Sequence, residues 1–194
     1  MKATRRYFSL WLGATALLLL LQWPSTVSSQ VSATEHPNRV KAAFLRNFAH
    51  YVSWPAGAFL DSDSPWCIGI LGPDPFGELL ESTLAGRTEQ GRAFEVFRAN
   101  SLDKLPKCQL VFISFANSQA RRAVLRELKD QPVLTVGDAP EFLHEGGIIR
   151  FQVADRVGMS INLDQARAVS LNIQTRMLEV SNEVLENGVV RKVR

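Results

Sequence analysis

The residues from which active sites are usually assembled are scarce in this chain. Its 194 residues hold three histidines and two cysteines, and their spacing encodes no local site. His36, His50 and His144 lie too far apart to read as a metal shell or as a base beside a nucleophile. No serine stands in a G-x-S-x-G elbow, and no acidic pair flanks a recognisable cleft motif. Gly69-Ile70-Leu71-Gly72 lacks the third glycine of a dinucleotide fingerprint, and Pro73 and Pro75 block the helix start on which a pyrophosphate would rest. These absences predict a protein with no catalytic residues, no cofactor and no metal.

Long polar tracts and internal repeats are also missing, and a hydrophobic content of 46% suits a packed core rather than a disordered or collagen-like chain. The net charge of +3 excludes less than it first suggests. Lys2, Arg5 and Arg6 all precede an apolar run, and without them 19 basic residues face 19 acidic ones. A neutral remainder has no electrostatic footprint for a polyphosphate, so no nucleic acid is expected as a partner.

The apolar run covers residues 8–21 and follows that short basic segment, which is the order of parts in a secretory signal peptide. At about 14 residues it falls short of the roughly 20 that a spanning helix needs. Val27-Ser28-Ser29 offers a cut after Ser29, and Val31-Ser32-Ala33 a second one after Ala33; the first is preferred. No cysteine follows the run to accept a lipid. The expected organisation is a signal peptide at residues 1–29, a disordered lead-in at 30–36, one domain at 37–187 and a tail at 188–194, with the mature chain exported to the periplasm.

Export changes how the cysteines are read. An even count in an oxidising compartment favours a disulfide over a metal site or a catalytic thiol. Cys67 and Cys108 each open a short apolar run, Cys67-Ile68-Gly69-Ile70-Leu71 and Cys108-Gln109-Leu110-Val111-Phe112-Ile113, and both runs read as buried strands. If those strands are parallel neighbours, both sulfurs lie at one end of the sheet. A bridge there would constrain the unfolded chain by roughly 4 kcal/mol. Two buried free thiols are the other reading.

Residues 37–52 carry Val40, Phe44, Phe48 and Val52 every four positions, an amphipathic helix started by Pro37 and stopped at Trp54-Pro55. Short helices are expected at 76–84 and around Phe142-Leu143, and a longer one at 117–128. Strands are expected at 93–99 and 133–136, with a hairpin of 148–153 and 157–161. Ala166, Val169, Ile173, Met177, Val180 and Val184 step by three or four, which predicts a long C-terminal helix stopped by Asn187-Gly188. The fold class is α/β, a mostly parallel sheet with an antiparallel edge hairpin and helices on both faces.

Two groups of side chains are candidate contact surfaces. Tyr51, Trp54, Phe59 and Trp66 gather around the end of the first helix, as partner anchors or as core. Arg121 and Arg122, with Arg126 and Lys129, read as a solvated helix face that could meet an anionic partner.

The residues themselves carry a resemblance. Val40-Lys41-Ala42-Ala43-Phe44-Leu45-Arg46-Asn47-Phe48 leading into Val52-Ser53-Trp54-Pro55 resembles the opening block of the YfiR-like family of exported bacterial proteins. Similar blocks follow in the family's order: 67–72 with Pro75-Phe76-Gly77, then 108–114, then 133–136 with 145–151, then Met159-Ser160-Ile161-Asn162. The resemblance covers residues 40–180. It implies a non-enzymatic periplasmic regulator that holds down a membrane-bound diguanylate cyclase through the cyclase's periplasmic domain, lowering cyclic-di-GMP and biofilm formation. An outer-membrane lipoprotein relieves that repression. Cys67 and Cys108 match the family's first disulfide pair, and this chain lacks the second. The expected partner-binding residues are Tyr51, Trp54, Phe59, Arg121 and Arg122, and a homodimer is a further expected assembly. From a different class, the alternative is a periplasmic small-molecule sensor or binding protein with its pocket at the carboxyl ends of the strands, near residues 72–77.

Overall fold

The computed structural model describes residues 35–193; the expected signal peptide at 1–29 and the first part of the lead-in lie outside them. In chain order the elements are α1 (Glu35–Tyr51), β1 (Val52–Ser53), β2 (Trp66–Leu71), α2 (Glu78–Leu84), β3 (Thr88–Glu89), β4 (Arg92–Ala99), β5 (Leu110–Ile113), α3 (Ser118–Leu128), β6 (Leu134–Gly137), β7 (Ile149–Val153), β8 (Val157–Asn162), α4 (Leu163–Ala168), β9 (Asn172–Ile173), α5 (Thr175–Glu179), β10 (Glu183–Glu186) and β11 (Val189–Lys192). Nine strands form one sheet in the order β11-β10-β8-β7-β6-β5-β2-β4-β3. The central run from β4 to β7 is parallel.

Alternate residues of these strands feed two cores. Ile68, Ile70, Leu110, Phe112, Leu134 and Val136 face α1, α2 and α4, while Leu71, Val111 and Ile113 face α3. A fully buried run such as Leu110–Ile113 needs cover on both faces, and the crossover helices supply it. On the α1 face Phe76, Phe112, Phe151 and Phe48 link ring to ring, with centroids 5.0, 6.5 and 6.0 Å apart along the chain of contacts. The α1 stripe is rotated from the expected one: Ala42, Leu45, Phe48, Ala49 and Val52 are buried, whereas Phe44 only leans on Phe151.

The β7–β8 hairpin forms as expected, with Val153 opposite Val157. It is not the edge of the sheet, because β10 joins β8 in parallel and β11 closes on β10. No helix forms around Phe142; residues 140–146 are a turn that seats the Phe142 ring, 0% exposed, against Gly137 and Gly147. A Cβ at Gly147 would lie 2.2 Å from that ring, so nothing larger than glycine fits.

The long C-terminal helix is not formed. Its segment breaks at Ser170, whose φ of +60° ends α4, with Leu171 N–H donating to the Ala166 carbonyl in a C-terminal cap. Ile173 then pairs with Val52, and Val184 with Ile161. Asn187 (φ +53°) and Gly188 (φ +72°) do not stop a helix; they turn the β10–β11 hairpin, and the expected tail is β11.

Candidate functional site

The parallel pairing of β2 with β5 sets Ile68 opposite Leu110, which brings the residues just before them to one end of the sheet. Cys67 and Cys108 are bonded there, with Cα atoms 4.5 Å apart and each residue 6% exposed. Gln109 completes the knot. Its side-chain oxygen accepts the Cys67 N–H at 2.9 Å, its amide donates to the Ala58 carbonyl at 2.8 Å, and its own carbonyl accepts from Trp54 Nε1 at 3.2 Å. A lone glutamine within an apolar run was the only sequence signal for this buried hub.

The aromatic group at the end of α1 divides. Trp66 is core at 3% exposure and donates to the Glu89 carbonyl at 2.9 Å. Trp54 and Phe59 pack edge-on against it, with centroids 5.1 and 4.8 Å away, and both remain half-buried, as does Tyr51. The loop of residues 55–65 is drawn onto these rings by Arg92, whose guanidinium stacks 4.0 Å from the Phe59 centroid and donates to the Asp61 and Ser64 carbonyls. Asp61 folds the loop on itself by accepting from the Ser64 hydroxyl and from the backbone of Asp63 and Ser64. The Ser64 hydroxyl is the largest cause of its pKa lying below the ordinary aspartate value. A cleft of about 420 Å³ opens between the loop and the rings, lined by Trp54, Phe59, Asp61, Gln90 and Arg92.

The same loop holds out Leu60, which is 86% exposed. Leu60, Phe59, Glu95, Phe97 and Lys107 line a smaller groove over the disulfide, and Phe97 is 37% exposed. Leu60, Arg92 and Phe97 were not among the candidate contact residues read from the sequence. In sequence Phe97 is one residue of a half-buried alternation, and only the position of β4 beside the loop exposes it.

Arg121 and Arg122 do not share a role. Arg121 is 3% exposed, so it is not part of a solvated face. It donates to both Glu145 oxygens at 2.7 and 2.9 Å and to the Phe115 and Ala116 carbonyls, tying α3 to the turn before β7. The Glu145 hydrogen bonds raise its pKa further above its already high ordinary value. Arg122, Arg126 and Lys129 are exposed.

The crevice at the carboxyl ends of the strands, where the direction of winding reverses between β2 and β5, is crossed by α1. Asn38 donates to the Pro75 carbonyl at 2.7 Å and Lys41 to Asp138 at 3.0 Å, so the helix straps the ends of β2 and β6. Among the described residues, no cluster of three or more His, Cys, Asp or Glu could hold a metal ion.

A protein-family model described as YfiR/HmsC-like matches residues 38–182. No curated protein gives a match.

Proposed function

Because the chain belongs to the YfiR/HmsC-like family, we propose that it is a non-enzymatic periplasmic regulator that binds the periplasmic domain of an inner-membrane diguanylate cyclase and lowers cyclic-di-GMP signalling. Less exopolysaccharide and less biofilm follow. An outer-membrane lipoprotein partner relieves the repression. The observation that carries this reading is the family match over residues 38–182. The loop of residues 55–65 supports it: a disulfide, a glutamine hub and a stacked arginine hold the loop firmly while Leu60 stands in solvent at 86% exposure. An apolar side chain presented on a preorganised loop costs little ordering entropy on binding. Tyr51, Trp54 and Phe59 border that loop and belong to the contact surface. Arg122 and Arg126 are exposed cations on α3, while Arg121, buried against Glu145, supports the fold beneath them.

The reading is tested by re-expression. In a strain that carries the cognate cyclase, deleting the gene raises cyclic-di-GMP, and the full chain restores the low level. A chain without residues 1–29 stays in the cytoplasm and does not. An unchanged level in the deletion strain would overturn the proposal.

A further inference from the structure

The two edges of the main sheet are unlike. At one edge β11 is four residues long and carries the exposed cations Arg191 and Lys192, charges of the kind that discourage strand pairing. At the other, β3 covers only the start of β4: Glu89 pairs with Arg92 and Thr88 with Ala93 across the turn Gln90-Gly91. Beyond Ala93 no strand pairs with the outer side of β4 among the described residues.

Which backbone groups are free follows from alternation. The Ala99 carbonyl accepts the Gly72 N–H on the β2 side, so residues 95, 97 and 99 point their N–H and C=O inward to β2. The N–H and C=O of Val96 and Arg98, beyond the β3 pairing, therefore face outward. Their side chains do not guard this edge. Phe94 and Val96 lean into the core, and Arg98 is folded back onto Asp74, Glu81 and the Gly77 carbonyl. The side chains on the opposite face of β4 are the exposed ring of Phe97 and the carboxylate of Glu95, which has no ion-pair partner among the described residues. Across the groove from them stands Leu60.

We propose that the free edge of β4 docks an extended segment of the membrane partner, which adds to the sheet as a further strand, sets an apolar side chain between Phe97 and Leu60, and places a basic side chain against Glu95. Backbone pairing then supplies the affinity, and the groove and the carboxylate supply the selectivity. This inference rests on the reading that the protein acts by binding a cyclase.

Val96→Pro tests it, because proline removes an outward N–H and leaves the β2 ladder whole. Val190→Pro is the matched control: the Val193 N–H pairs inward with the Asn182 carbonyl, so Val190 faces out from β11. Each variant and the parent chain are re-expressed in the deletion strain, and cyclic-di-GMP is measured alongside periplasmic abundance and the melting temperature of the purified protein. The expected result is repression by the parent and by Val190→Pro, and a return to the deletion-strain level with Val96→Pro. Repression by Val96→Pro equal to that of the parent overturns the docking edge and leaves the regulatory reading standing. No repression by the parent itself overturns both. Should Val96→Pro melt well below the parent, Phe97→Asp carries the same test, since it charges an exposed ring and leaves every backbone bond in place; full repression by that variant contradicts the proposal.

Discussion

Removing the Arg121 guanidinium would leave the Glu145 carboxylate, whose side chain is 1% exposed, with only the more distant Arg122 Nε at 3.6 Å. Arg121→Ala is expected to cost about 3–5 kcal/mol, the penalty for breaking a buried pair, whereas Arg122→Ala should change stability by less than about 1 kcal/mol because that side chain is 59% exposed. Urea unfolding of the two variants measures the difference, and equal values would contradict the buried role. The carboxylate of Glu81 makes a pH prediction. Hydrogen bonding from Arg98 holds its pKa below the ordinary 4.5. The unfolded chain therefore takes up the proton more readily than the folded one, so the contribution is present above pH 4.5 and is lost as pH falls through the lowered folded value. Glu81→Gln should flatten the melting temperature's fall on the acid side of pH 4.5, and an unchanged profile would remove Arg98 as the cause. What sequence reading misses at this scale is burial: four cations at 121, 122, 126 and 129 look alike until α3 is placed on the sheet with Arg121 turned inward.

The C-terminal elements show why a mostly correct list of buried residues can accompany the wrong secondary structure: of the six apolar positions that step by three or four, Val180 is 42% exposed and the other five are buried. Ala166, Val169, Ile173, Met177 and Val184 are all buried, but they reach the core from α4, the turn after it, β9, α5 and β10 in turn. Val169, Ile173 and Val184 are β-branched and favour strand or turn geometry when pairing partners are at hand, and Asn187-Gly188 between Leu185 and Val190 is a strong hairpin signal. Gly188→Ala, forced to φ +72°, should cost about 1–2 kcal/mol, read by thermal unfolding. The strands around the disulfide were legible because each is a short, wholly apolar run and parallel pairing of such runs fixes where their first residues meet. Cys67→Ala is expected to lower stability by about 2–4 kcal/mol and to lower the melting temperature. An unchanged melting temperature would mean that Gln109 and the strand pairing hold the loop without the bridge.

For the whole molecule, the alternation of buried strands with helices was enough to give an α/β sheet covered on both faces, and the structure extends it by the two C-terminal strands beyond the hairpin. The proposed contact surface was legible only in part. Tyr51, Trp54 and Phe59 stand out in sequence as aromatics near a helix end, but Leu60 and Phe97 are 37 residues apart and line one groove only because β4 pairs with β2 beside the loop of residues 55–65. We propose that this surface acts on a membrane cyclase from the periplasmic side. The most direct test is cyclic-di-GMP measured after deleting the gene in two backgrounds, one with the cognate cyclase intact and one with that cyclase's periplasmic domain excised. A rise is expected in the first and none in the second; no rise in the first, or an equal rise in both, would contradict the proposal.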